Sequence, residues 1–126
     1  MTEIDSFLKD KHILAVDDEW DVIETIQEIL DEATIDIAQD YETASEKIFK
    51  TQYDLAILDI KLKKMSGVEV LEELKMITPS MGVIMLTGYP TMETARESLK
   101  LGATEYCVKP IDKDEIEEKV ASVLGD

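Results

Sequence analysis

Short apolar runs alternate with segments of helical spacing along the whole chain, and that alternation constrains the fold more than any other feature. The clearest run is Leu55-Ala56-Ile57-Leu58, which passes without interruption into Asp59. An unbroken apolar run of this length reads as a strand covered on both faces, the kind that parallel sheets contain. Comparable runs occupy residues 13–16, ended by Asp17-Asp18-Glu19, and residues 83–86, ended by Thr87-Gly88. A last run, residues 105–108, ends at Lys109-Pro110. Residues 34–38 form a weaker strand in which Ile35 and Ile37 alternate with polar neighbours, which suits a sheet edge.

The intervening segments read as amphipathic helices. Val22, Ile23, Ile26, Ile29 and Leu30 fall at helical spacing, and residues 42–50 turn Ala44 and Ile48 inward. Ser66 and Glu69 form a capping-box signature for a third helix, with Val68, Leu71 and Leu74 inward. Pro90-Thr91 opens a short fourth helix, and Gly102 suits its C-terminal cap. Asp112 and Glu115 open a fifth, with Ile116, Val120 and Leu124 inward. Five strand–helix units joined by right-handed crossovers predict one α/β domain, a parallel five-stranded sheet with helices on both faces. Residues 1–11 read as a loose lead-in and residues 12–124 as the domain.

Composition narrows the partners. Acids outnumber bases 29 to 13, for a formal net charge of −16. Such a chain is a poor candidate for gripping nucleic acid or an anionic membrane directly, and suits binding of cations or basic surfaces. The single cysteine, Cys107, allows no internal disulfide and reads as a buried apolar filler. The N-terminus lacks the basic segment and apolar core of a signal peptide, and no run approaches a membrane span. The expectation is a cytoplasmic protein.

In a parallel sheet the carboxyl ends of the strands lie on one edge, where open α/β proteins keep their ligand sites. Asp17 and Asp18, Asp59, Thr87 and Lys109 therefore converge. Two carboxylates 4 Å apart repel by about 4 kcal/mol at an effective dielectric of 20, so the set calls for a cation. Lys109 is one, and hard carboxylate oxygens without His or Cys favour Mg2+ as another. A carboxylate flanked by both can attack phosphorus and form an aspartyl phosphate. His12, at the start of the first strand, belongs to the opposite edge and reads as structural. Trp20 is read as packing over the first helix, and Met65 and Met92 as packing residues beside loops.

Taken in order, Val16-Asp17-Asp18-Glu19, Leu58-Asp59-Ile60, Met65-Ser66-Gly67, Leu86-Thr87-Gly88-Tyr89-Pro90 and Gly102-Ala103 through Tyr106 to Lys109-Pro110 resemble the receiver domain of two-component response regulators. The resemblance spans about residues 12 to 124. It implies a flavodoxin-like fold with strand order 2-1-3-4-5. It implies that Asp59 accepts a phosphoryl group from the phosphohistidine of a sensor histidine kinase or phosphotransfer protein, or from a small acyl phosphate. Asp17, Asp18, Asp59 and the backbone carbonyl of Lys61 would hold Mg2+, Asp17 mostly through water. Lys109 would pair with Asp59 and then with phosphoryl oxygens, and Thr87 would reach one of these oxygens by its hydroxyl. Tyr106 would turn inward as Thr87 moves, remodelling the face built by the fourth helix, fifth strand and fifth helix. That face would serve a downstream protein, a tethered output domain or a homodimer. A cis bond before Pro110 is also implied.

The chain departs from the family in two places. Lys63-Lys64 stands where the family often has Pro-Gly, adding charge to the loop; these lysines are read as solvated. Lys61 and Tyr89, two residues beyond Asp59 and Thr87, flank the path of the hydrolytic water in the family. Their bulk predicts a slowly hydrolysing phosphoaspartate. Two rival functions fit the sequence less well. An aspartyl-nucleophile phosphatase of the haloacid dehalogenase type needs an acid where this chain has Lys61, and a receiver-like module that takes no phosphate would not need the intact polar set. A flavin phosphate would be repelled by the acidic loop after the first strand.

Overall fold

The computed structural model describes residues 8–62, 66–88 and 90–125. Among the described residues five strands and five helices alternate: β1 (His12–Val16), α1 (Trp20–Ile29), β2 (Thr34–Ala38), α2 (Tyr41–Lys50), β3 (Leu55–Asp59), α3 (Gly67–Ile77), β4 (Gly82–Thr87), α4 (Met92–Lys100), β5 (Glu105–Val108) and α5 (Lys113–Leu124). All strand pairs are parallel, in the order β2-β1-β3-β4-β5. The expected doubly wound α/β architecture is present. The weakly patterned β2 lies at an edge, and β3, buried at every residue, lies at the centre.

Alternation along each strand divides the core in two. Leu14, Val16, Ala56, Leu58, Val83 and Met85 face one layer with Ala44 and Ile48 of α2 and Val68, Leu71 and Leu74 of α3. Ile13, Ala15, Leu55, Ile57, Ile84 and Leu86 face the other, with Ile23 and Ile26 of α1 and Ile116 and Val120 of α5. Cys107 is buried in this second layer, and burial pushes its thiol up to about 11, which keeps it protonated and inert. Leu8 is fully buried there too, so the lead-in contributes an anchor to the core.

Helix ends follow local chemistry. Asp40 caps α2 by accepting from the Thr43 amide, and Asp112 caps α5 by accepting from the Asp114 amide. The capping box expected from Ser66 and Glu69 does not form. Ser66 Oγ accepts from the Val68 amide, one residue short of Glu69, and donates to the Ile60 carbonyl. The reciprocal box stands instead on α4, between Thr91 and Thr94. Gly102, at φ +102°, follows α4 in the left-handed region, as its place in the sequence predicts. The Lys109–Pro110 bond is cis.

Two side chains expected to pack do not. Met92, the first residue of α4, is 71% exposed, and Trp20, the first of α1, is half exposed. A residue in a helix's first turn can face outward whatever the apolar stripe behind it does. Lys63, Lys64, Met65 and Tyr89 lie outside the described residues. Among the described residues no helix is long and apolar enough to cross a membrane.

Candidate functional site

Strand register builds the site. Val16 of β1 is level with Leu58 of β3, so Asp17 follows beside Asp59. Asp59 is level with Leu86 of β4, and Thr87 with Val108 of β5, so Lys109 follows at the same rim. The Lys109 amide donates to the Thr87 carbonyl at 2.7 Å, which extends the β4–β5 ladder to the lysine. Asp59 continues the Leu55–Ile57 side of β3, and Asp17 continues the Ile13–Ala15 side of β1, both toward the layer of α1 and α5. Thr87 falls on the other side, with Met85 and with Tyr106 of β5, its neighbour in register.

The result is a cleft of about 320 Å³ lined by Asp18, Glu19, Asp59, Lys61, Leu62, Gly88 and Lys109. Carboxylate oxygens of Asp17, Asp18, Glu19 and Asp59 all lie within 4.8 Å of one another. Asp17 and Asp59 are buried, Asp18 is half-buried and Glu19 is exposed. Asp59 Oδ1 accepts from the Lys61 amide at 3.1 Å, and Asp17 Oδ1 accepts from the Glu19 amide at 2.9 Å. Each bond orients its carboxylate and leaves the second oxygen facing the Lys109 ammonium.

Lys109 Nζ reaches three of the acids: Glu19 Oε1 at 2.7 Å, Asp17 Oδ2 at 2.9 Å and Asp59 Oδ2 at 3.4 Å. The pairing with Asp59 expected from the sequence is present, but as the longest of the three. Asp17 lies in direct contact with the ammonium, a role the sequence reading did not assign. Glu19 joins them although nothing in its spacing distinguishes a third acid after a strand from a solvated loop residue.

Burial raises the proton affinity of the two buried aspartates. Burial, then the neighbouring Asp17 charge, pushes the Asp59 carboxyl up to about 6, against the pull of the Lys61 amide and Lys109. Burial also raises Asp17 above the usual carboxylate range. For Lys109 burial works the other way, yet the hydrogen bond it donates to Glu19, its ion pair with Asp17 and the nearby Asp59 charge outweigh it and hold the ammonium above ordinary lysine.

The donor set fits a hard divalent cation. Among the described residues every candidate side-chain ligand is a carboxylate, and buried Asp17 Oδ2 has no hydrogen-bond partner of proper geometry.

One close approach supports Asp59. A Cβ on Gly67, the first residue of α3, would lie 1.8 Å from the Asp59 carbonyl oxygen. Only glycine lets the helix start so near the end of β3, where its amide donates to the Ile60 carbonyl at 2.7 Å. Farther off, Tyr106 is half-buried, and its hydroxyl lies 3.3 Å from Thr94 Oγ1 on α4. At the opposite rim His12 pairs with Asp36, 3.0 Å away, and packs edge-on against Tyr53, consistent with a structural role.

Sheet order and rim chemistry together define a receiver domain. The family model described as "Response regulator receiver domain" matches residues 13–121, and the chain belongs to that family of two-component signalling domains. It is 34% identical over 115 residues to the transcriptional regulatory protein ZraR of Klebsiella oxytoca, a match covering 90% of this chain and 26% of that protein. The chain thus spans about a quarter of that relative's length. Its structure is similar to a CheY-like receiver domain from Methanospirillum hungatei, with a TM-score of 0.88, 34% identity and coverage of 93% of this chain and 95% of the other. It also resembles a response regulator from Burkholderia pseudomallei that contains a phosphorylated aspartic acid, a calcium ion and citrate. There the TM-score is 0.82 at 25% identity, covering 88% of this chain and 66% of that one.

Proposed function

We propose that this domain is a phosphoacceptor switch in which Asp59 takes a phosphoryl group from the phosphohistidine of a sensor histidine kinase or phosphotransfer protein, or from a small acyl phosphate. The observation that carries this reading is the Asp59 carboxylate, buried at the carboxyl rim with an ammonium at 3.4 Å and two aspartates beside it. A phosphorylated aspartate in the Burkholderia relative supports it.

In the reaction an Asp59 oxygen lone pair forms the new P–O bond while the bond from phosphorus to the donor's nitrogen or acyl oxygen breaks. The leaving nitrogen or oxygen keeps the electron pair. Asp17, Asp18, Asp59 and the Lys61 carbonyl would hold Mg2+, which neutralises charge on the transferring group. Lys109 follows the charge, from Asp59 toward the phosphoryl oxygens. Thr87, buried at the end of β4, supplies a hydroxyl to one of them. Its movement frees space on the face it shares with Tyr106, whose ring turns inward and breaks its contact with Thr94. The surface of α4, β5 and α5 then changes, and a downstream protein, a tethered output domain or a second copy reads the change. Lys61 and Tyr89 restrict water near the phosphoaspartate and prolong its life. The setting is cytoplasmic, with no direct contact to nucleic acid or membrane, in keeping with the acidic surface.

The test is incubation with Mg2+ and acetyl phosphate followed by intact mass. One phosphoryl group should add to the wild type and none to Asp59→Asn. No addition, or addition that survives the substitution, refutes the assignment.

A further inference from the structure

Glu19 is the N-cap of α1, where a side chain ordinarily accepts a hydrogen bond from the first turn's amides. Here the side chain caps nothing. It crosses the mouth of the cleft and meets Lys109, 90 residues away in the chain, at 2.7 Å. Of the three acids around that ammonium it is the nearest, and it is also the most exposed, at 62% against 1% for Asp17 and 4% for Asp59. It can therefore let go and hydrate at little cost, which the two buried aspartates cannot.

We propose that Glu19 is a positioning residue that holds the Lys109 ammonium away from the acceptor oxygen until a phosphoryl group arrives. The inference rests on the phosphoacceptor reading above and assigns a control element within it. Before phosphorylation the Lys109 charge is shared mainly between Glu19 and Asp17. When an anionic group is bound at Asp59, the ammonium turns to it and Glu19 swings into solvent. Glu19 thus opposes anion binding twice, by competing for Lys109 and by its own charge. Toward a divalent cation in the same cleft, that charge acts in the favourable direction. Cation and phosphoryl affinities should therefore respond to Glu19 with opposite signs, which neither a metal ligand nor a merely structural residue would produce.

The experiment uses the whole chain with Trp20, adjacent to Glu19, as fluorescence reporter. Mg2+ is titrated first, then beryllofluoride, a phosphoryl mimic, at saturating Mg2+. Glu19→Gln should weaken Mg2+ binding by about 1.4- to fivefold, the range of an exposed ion pair, and tighten beryllofluoride binding by a similar factor. Glu19→Asp keeps the charge and loses the reach, so it should leave Mg2+ affinity near wild type while still tightening beryllofluoride. Unchanged beryllofluoride affinity in Glu19→Gln, with normal binding by the wild type, overturns this inference alone. Weakening of both ligands overturns it in favour of a ligand or structural role. Failure of the wild type to bind beryllofluoride at all removes the phosphoacceptor reading and this inference with it.

Discussion

Replacing Asp59 by Asn should stabilise the domain, and the gain should depend on pH. The Asp59 carboxyl is pushed from the ordinary 3.8 up to about 6 by burial and by the Asp17 charge. The folded state therefore holds that proton more tightly than the unfolded chain. Stability from this group is fully present below about 4 and is lost as pH rises through 6, where the buried carboxylate ionises. At 1.36 kcal/mol per pH unit the ionised form costs about 3 kcal/mol in the folded protein. Asn imitates the neutral acid, and its Oδ1 can still accept from the Lys61 amide. The variant should match the wild type near pH 3, exceed it by about 1 kcal/mol at pH 4.5 and by about 3 kcal/mol at pH 8. For 126 residues at about 2.1 cal/mol/K each, that is about 10 °C in Tm. Urea unfolding with EDTA at pH 4.5, 6 and 8 reads the difference directly. Saturating Mg2+ should then erase much of the gap, because the cation binds the wild type more tightly than the variant. A gap that is flat with pH, or an Asn variant less stable at pH 8, would refute the electrostatic account of the rim.

Three further outcomes are expected. Gly67→Ala drives a methyl into the Asp59 carbonyl, 1.8 Å away, and should cost about 2–3 kcal/mol in urea unfolding while slowing acetyl phosphate uptake at saturating Mg2+; a neutral effect on both would show that α3 does not brace Asp59. Small or acidic residues at both Lys61 and Tyr89 should shorten the phosphoaspartate lifetime in a decay assay by intact mass, and unchanged decay would count against their gating of water. The rate of uptake from acetyl phosphate at low Mg2+ should rise with pH through about 6 as Asp59 ionises, and excess Mg2+ should move the inflection to lower pH. An inflection insensitive to Mg2+ would mean that another group sets it.

The site was legible in the sequence to the extent that strand periodicity alone creates it. A polar residue that ends a buried run must emerge at the carboxyl edge, so Asp17, Asp59, Thr87 and Lys109 are readable without coordinates. The edge position of β2 follows from its dilute pattern, and the left-handed Gly102 from its place after a helix. Strand order does not follow from any of these patterns; it entered through resemblance to a family, because burial says that a strand has two neighbours but not which.

What the tertiary structure decided is how those groups share charge. Whether Lys109 lies nearest Asp59, Asp17 or Glu19 depends on loop paths and on side chains far apart in the chain, and no local propensity encodes a contact across 90 residues. The same holds for Gly67, recognisable as a motif residue but explained only by the Asp59 carbonyl beneath it. It also holds for Leu8, which no periodicity marks as core until the second core layer closes over it. Periodicity is a property of neighbours in sequence and could be read directly; distance and burial are properties of neighbours in space, and they appeared only with the fold.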